Sequence, residues 1–535
     1  MKLWLIGTVA AAALLTGCGK KDDAASAGDA AALEIGSVEL PAVQLRAGDA
    51  AQAEAALGAL SLTESGSGRI NFADRTVTGA DAVFSDISVV IGDGQDDEEG
   101  TISAQSLTLK GLDMSDGEAS FAQMRLDGIV VTPEDADEDG ILTISDMQIS
   151  NPSPALAAWV ASLMGDGEPA EFPDFADLSF DAISMNNFSA VPADDNELQA
   201  FDIDRIDFRN MSEEGLGAMI FEGLNFSATD ENDGTAANFS LGSLNVLGVT
   251  ELLTKTIGAG LGDDLDNPGS VLELLSSNPA DPGYDAIQLE NLSVDVSGIA
   301  VDLPAYSAEI TRDQQGRAIR NQTHPFKATL NVDPNGEMGS DIAGPLGLLG
   351  YETLTIGGAA DSRINHDDDI VSADAASNYL ELEDGFRLSL GGEFAGLSDF
   401  YAALADAGNG DSDADVEAAF GSSLSQLGLH GMEITFADDS FVDRAFAAAA
   451  AMNGGTPEDL KNQAKLSLGL APLMASSSGV DANIITELTA ALGEFISNPG
   501  TLTVKLDPEA PITADMMENP SLLTKEAIGF SASSN

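Results

Sequence analysis

One order of hydrophobic and polar positions recurs along the first 300 residues: apolar, polar, apolar, polar, polar, apolar, polar, apolar. Strict copies are Ile102–Leu109, Leu142–Ile149, Phe201–Phe208, Phe239–Val246 and Ile287–Val294, counting Ala104 as apolar. Looser copies start at Ala82, Met124, Leu178 and Met219. Alternation with period two is the mark of a strand whose alternate side chains share a face. The doubled polar pair slips that alternation by one residue. A β-bulge at the pair returns all four apolar residues to the same face. Each copy therefore predicts a strand of about 26 Å with one oily face and one wet face.

The copies pair naturally as hairpins with acidic tips, at Asp93 to Glu99, Glu134 to Asp139, Asp194 to Glu197 and Asp230 to Asp233. Two hairpins lead into a helical stretch at Ser153–Met164, and two more into another from Thr250 to about Ser277, which contains a capping-box pattern at Ser270–Glu273. Corresponding strands start at 82 and 178, 102 and 201, 124 and 219, and 142 and 239. These near-constant offsets of 96, 99, 95 and 97 residues predict an internal duplication of a hairpin-hairpin-helix unit. The copy at Ile287 opens a degenerate third region.

Further along, strands are expected near Phe326–Val332, Thr353–Gly358, Tyr379–Leu382, Phe386–Leu390 and Met432–Phe436. Ala-rich helices follow near Phe441–Met452, Pro457–Leu473 and Asp481–Ser497, and then a strand at Thr501–Leu506. Thr456-Pro457-Glu458-Asp459 supplies an N-cap, a first-turn proline and early acids. The predicted fold class is α+β, mainly antiparallel β. Duplicated hairpin-hairpin-helix units form a curved sheet or a sandwich, ahead of a helix-rich C-terminal α+β part. The expected divisions are 1–17, 18–45, 46–177, 178–284, 285–430 and 431–535.

The start of the chain has a different character. Met1-Lys2 precedes an apolar stretch from Leu3 to Leu15, which ends in Leu15-Thr16-Gly17-Cys18. A short basic start and a brief apolar run describe a secretory signal, and thirteen apolar residues are too few to span a bilayer. Leu15–Cys18 resembles the lipobox of bacterial lipoprotein precursors. That resemblance implies cleavage between Gly17 and Cys18 and attachment of lipid to the Cys18 thiol. Cys18 is the single cysteine of the chain, so no disulfide is available. The Ala/Ser/Gly/Asp-rich run that follows reads as a tether through residue 45. Gly19, which is not an aspartate, favours the outer membrane of a bacterial cell envelope over the inner one by the lipoprotein sorting pattern.

Composition narrows the partners. With 22 Lys+Arg and 89 Asp+Glu, the net charge of −67 repels nucleic acid and anionic lipid heads. The 44% apolar content, set in periodic runs, separates this acidic chain from disordered ones. Trp159 is the sole tryptophan after the signal, which disfavours a carbohydrate-stacking site.

Catalytic chemistry is not nominated. His324, His366 and His430 are far apart and lack the spacing of a zinc site. His366-Asp367-Asp368-Asp369 reads as a hairpin tip. There is no nucleophile elbow, phosphate loop or dinucleotide fingerprint. One acidic segment does have a ligand-like spacing. Asp135, Asp137 and Asp139, Gly140 and then Asp146 fit positions 1, 3, 5, 6 and 12 of a calcium loop, with Asp in place of the usual closing Glu.

The leading expectation is a non-enzymatic envelope lipoprotein, held on a membrane by its N-terminal lipid, that binds phospholipid or another envelope protein. At pattern level, residues 70–300 resemble AsmA-like envelope proteins, and the resemblance implies a groove that cradles acyl chains. The chain lacks the transmembrane anchor of that family. The alternative is a calcium-stabilised surface or adhesion module. A hydrolase is the least supported class.

Overall fold

The computed structural model describes residues 42–91, 100–115, 117–133, 140–165, 170–174, 177–191, 198–229, 236–250, 281–336, 338–398, 400, 427–475, 481–514, 516 and 519–535. The lipobox, Cys18, most of the tether, the acidic hairpin tips and the expected helix within 250–277 lie outside the described residues. The fold is mainly antiparallel β, as the alternation predicted. By compactness, an N-terminal unit takes Ile35–Gly258 and Gly283–Ser297, and a C-terminal unit runs from Gly298 to Asn535.

The N-terminal unit begins with helix α1 (Ala53–Ala59) and the short strands β1 (Ile70–Asn71) and β2 (Asp74–Thr78). Then come β3 (Asp81–Ile91), β4 (Gly100–Lys110), a small hairpin of β5 (Asp113–Ser115) and β6 (Glu118–Ser120), β7 (Gln123–Thr132) and β8 (Ile141–Ser150). After helix α2 (Pro154–Met164) follow β9 (Phe180–Val191), β10 (Leu198–Ser212), β11 (Gly215–Thr229), β12 (Ala236–Thr250) and β13 (Ala286–Val296). From β3 to β13, leaving the β5–β6 hairpin aside, each strand pairs antiparallel with the next in sequence.

Pairing runs across two of the expected divisions. At 177 the two repeat units share one sheet, β8 pairing with β9 from Ile141↔Val191 to Ser150↔Ala182. The same holds at 285. β13 is laddered to β12 from Ala237↔Val296 to Leu247↔Ala286, which ties it to the second repeat. The copy expected at Leu178 is also displaced. Its four apolar residues are Ile183, Met185, Phe188 and Ala190, facing Phe208, Ile206, Ile203 and Phe201 of β10.

The expected β-bulge does not form at the doubled polar pair: the register runs through it unshifted, and left-handed residues make a crease there instead. Asp86, Asn187 and Asn291 have φ of 53°, 49° and 53°, and Gly128 and Gly223 have 64° and 65°. These left-handed residues lie on β3, β9, β13, β7 and β11. On the strands between them, Gln105, Ser145, Asp204 and Gly242 stand at the same level. Because every strand carries its extra residue at that level, the pairs on either side stay opposed: Ser85↔Ser106 and Ile87↔Ala104, or Glu222↔Ser243 and Leu224↔Leu241. A second crease lies six residues along, with left-handed Gly111 and Asn151 just past β4 and β8, and Asn210 and Gly248 on β10 and β12. The left-handed positions of both creases are all Asn, Asp or Gly, which tolerate this conformation best.

The helix expected near Ser153–Met164 is α2, capped by Ser153, whose Oγ accepts from Leu156 N at 3.3 Å. Helices α1 and α2 and the β5–β6 hairpin close one end of the sheet over Phe84, Leu107, Leu109, Leu112 and Phe121, all essentially without exposure.

The C-terminal unit comprises β14 (Ile299–Arg312), β15 (Ala318–Val332), α3 (Gly339–Leu348), β16 (Thr353–Asn365), β17 (Ile370–Ala373), β18 (Tyr379–Leu382), β19 (Phe386–Ala395) and β20 (Gly428–Asp438). Helices α4 (Phe441–Asn453), α5 (Pro457–Ala475) and α6 (Ala482–Ser497) precede β21 (Thr501–Leu506), β22 (Ile512–Thr513) and β23 (Ser531–Ser534). These strands too are antiparallel, and β19–β20 pairing joins the expected third region to the expected C-terminal domain. Thr456 caps α5, accepting from Asp459 N at 3.2 Å. A small core of Ile484, Ile512, Ile528 and Phe530 packs α6 near β21 and β23, while Phe436 meets Phe495 edge-on at 5.7 Å.

Candidate functional site

The register turns separate strand patterns into one surface. Phe84, Leu107, Leu126, Met147, Met185, Ile206, Phe221, Leu244 and Leu289 stand side by side across β3, β4 and β7 to β13. A row nearer the hairpin tips runs Val89, Ile102, Val131, Leu142, Ala190, Phe201, Phe226, Phe239 and Val294. Two further rows run from Ala82 to Ile287 and from Ile87 to Leu292. All four rows are apolar at every position. Nine strands at the usual spacing make this face about 38 Å across the strands.

Cover over the face is uneven. Near α1 and α2 its residues are buried: Ala82, Phe84, Leu107, Leu109 and Met124. From β9 onward most are only half-buried, including Met185, Ile206, Phe221, Leu244 and Leu289. The row nearest the tips is half-buried along its whole length. Each side chain there is shielded by its lateral neighbours, and the described residues supply no second layer that buries it.

The opposite face is polar and internally paired. Arg125 Nε donates to Asp127 Oδ1 at 2.7 Å, and this hydrogen bond is the main reason its guanidinium holds its proton more tightly than usual. Asp207 is fully buried and accepts from Arg205 Nη2 at 2.5 Å, Arg209 Nε at 2.6 Å and Arg209 Nη2 at 2.7 Å. Burial pulls the Arg205 pKa down, but the bond to Asp207 and the Asp207 and Glu222 charges outweigh it and leave it raised. Ile220, directly opposite Asp207, is buried as well. This cluster ties down its own charges and offers no open group.

The calcium reading loses its closing ligand. Asp135, Asp137 and Asp139 lie outside the described residues, and Asp146 sits within β8. Six extended residues carry it about 20 Å from Gly140, too far to close a twelve-residue loop. Its Oδ1 accepts from Asn186 Nδ2 at 3.0 Å, and Arg125 approaches at 3.8 Å. No group of three or more metal-ligating side chains occurs among the described residues.

His366 lies in the turn between β16 and β17, as expected of a hairpin tip, its Nε2 2.7 Å from Ala318 O. His324 lies on β15, 3.6 Å from Glu309, and His430 lies on β20. The three histidines do not converge. The C-terminal unit also has an open cleft of about 510 Å³ lined by Asp374, Ser389, Glu393, Glu433, Thr435, Lys505 and Asp507. Lys505 is held by Glu433 at 2.7 Å, and no histidine or cysteine lines the cleft to activate Ser389 or Thr435.

Sequence reasoning found the apolar residues of the face strand by strand. It missed α1, whose seven residues are too short to show a period, and so missed how one end of the face is closed.

A family model described only as an uncharacterized protein matches residues 379–535, the stretch from β18 to the C-terminus. No protein of curated function matches the chain. No helix among the described residues is long and apolar enough to cross a membrane.

Proposed function

We propose that this protein is a membrane-anchored, non-enzymatic lipoprotein of the bacterial cell envelope whose N-terminal sheet shelters the acyl chains of a lipid. The observation that carries the reading is the apolar face: four rows without a polar interruption over nine strands, half of it without a packed cover among the described residues. An ordinary sandwich buries such a face under a second layer. A face left half-covered and about 38 Å long is instead suited to a flexible aliphatic ligand, which needs apolar contact and no directional bonds. The lipobox-like Leu15–Cys18 supports an N-terminal lipid anchor, and Gly19 supports the outer membrane. Two or more acyl chains suffice to hold a protein there stably.

Native mass spectrometry tests this. Residues 19–535, expressed without the apolar Leu3–Leu15 stretch and without Cys18, carry no covalent lipid, so any lipid mass that remains is held by the fold. Reproducible retention of phospholipid supports the reading; a clean protein mass from lipid-replete cells refutes it. The mass of the wild-type protein, short by the first 17 residues and increased by acyl groups, tests the anchor separately.

A further inference from the structure

Resting on that acyl-sheltering reading, we infer that the sheet accepts amphiphiles whose head carries no net negative charge and rejects anionic ones. The apolar rows hold no charged or hydrogen-bonding side chain, so they recognise chains and leave the head to its surroundings. Those surroundings are strongly negative. Between residues 178 and 297, where the described residues cover the face least, the sequence has three basic residues, Arg205, Arg209 and Lys255, against 22 acidic ones, 11 of them among the described residues. Lys255 lies outside the described residues. Arg205 and Arg209 sit on the other face of the sheet and are both spent on buried Asp207. In the first repeat Arg125 is likewise on the polar face, bound to Asp127.

An anionic head brought to this region would find, on the described strands β9 to β13, no cation but Arg205 and Arg209 on the far face. It would give up part of its hydration without a partner and would stand in the field of many carboxylates. A zwitterionic or uncharged head avoids both penalties while presenting the same acyl chains. The selectivity is therefore electrostatic in origin and should fade when salt screens it.

The test uses residues 19–535, without the apolar Leu3–Leu15 stretch and without Cys18, incubated with vesicles of equal parts phosphatidylcholine and phosphatidylglycerol with identical acyl chains. Retained lipid is identified by native mass spectrometry at about 20 mM and about 500 mM salt, bracketing weak and strong screening. The expected result is a preference of about tenfold for phosphatidylcholine at low salt, falling toward parity at high salt. Equal retention or a preference for phosphatidylglycerol at low salt overturns the inference while leaving the acyl-sheltering reading in place. A preference indifferent to salt overturns its electrostatic cause. Retention of neither lipid overturns the acyl-sheltering reading itself, and the inference with it.

Discussion

Strands β3 to β8 and strands β9 to β13 present the same apolar rows, yet they are finished differently. In the first set, β4 leads into the inserted β5–β6 hairpin, and this hairpin with α1 and α2 buries the rows beneath it. In the second set, β10 turns directly into β11 through Glu213 and Glu214, with nothing inserted. It buries part of its polar face, around Asp207, Ala218 and Ile220, as well as Ile203, Leu241 and Val246 of the apolar rows. Among the described residues, the oily surface of one repeat is packed beneath added elements, and that of the other is mostly half-buried.

The sharpest test compares equivalent truncations. Phe84 and Phe221 stand in the same apolar row, but only Phe84 is without exposure. Phe84→Ala should cost about 3–5 kcal/mol in urea denaturation, and Phe221→Ala about half as much. Equal costs would show that the second repeat is packed as tightly as the first, and the contrast would collapse.

Next comes the buried acid of the second repeat. Asp207→Ala leaves Arg205 and Arg209 without their shared carboxylate and should destabilise by about 2–3 kcal/mol, less than for a wholly buried cluster because both arginines are partly exposed. The same denaturation experiment checks it. A negligible loss would mean that burial on the polar face contributes nothing to the second repeat.

The crease residues of the second repeat come after it. Asn187→Val should cost about 1–2 kcal/mol through the left-handed backbone alone, and Asn187→Gly should cost little. At Gly223 any side chain adds a collision with the Asp204 carboxylate, so Gly223→Ala should exceed the strain cost. Calorimetry on these variants separates strain from collision.

The smallest effect serves as a control outside both repeats. Lys525 Nζ donates to Glu487, the largest of the contacts that hold this carboxyl below its ordinary range. A depressed carboxyl stabilises the fold above its unfolded pKa, and that contribution is lost as pH falls through its lower folded value. Lys525 is raised chiefly by the same hydrogen bond, so its contribution is lost only as strongly alkaline pH passes its folded value. Glu487→Gln should therefore lower the thermal midpoint slightly at neutral pH and flatten its fall on the acid side. The apolar-row variants should leave that pH profile unchanged.

Much of the β scaffold was legible because alternation and the doubled polar pair are local signals. Where two alternations compete, the signal slips. Leu178 and Phe180 alternate as well as Ile183 and Met185 do, and only the Asn186-Asn187 pair, able to turn left-handed, identifies the true copy. β14 was missed because Pro304 interrupts it and its sides are evenly half-buried. The site was legible in part. Each strand names its own oily residues, but which residues stand side by side is a property of register, and the cover supplied by α1 comes from a segment without a period. The acidic spacing from Asp135 to Asp146 misled for a related reason, since pairing of β8 with its neighbours takes Asp146 away from the turn.

The neighbour-to-neighbour order of the N-terminal strands bears on how the chain is assembled. Most of its pairings join residues a few tens of positions apart, so loop closure is inexpensive at each step and folding should be fast for a sheet of this size. A strand can dock as soon as it follows its predecessor, starting on the closed end formed with α1. A chain emerging N-terminus first could therefore grow its sheet one strand at a time, with only the latest edge exposed to mispairing.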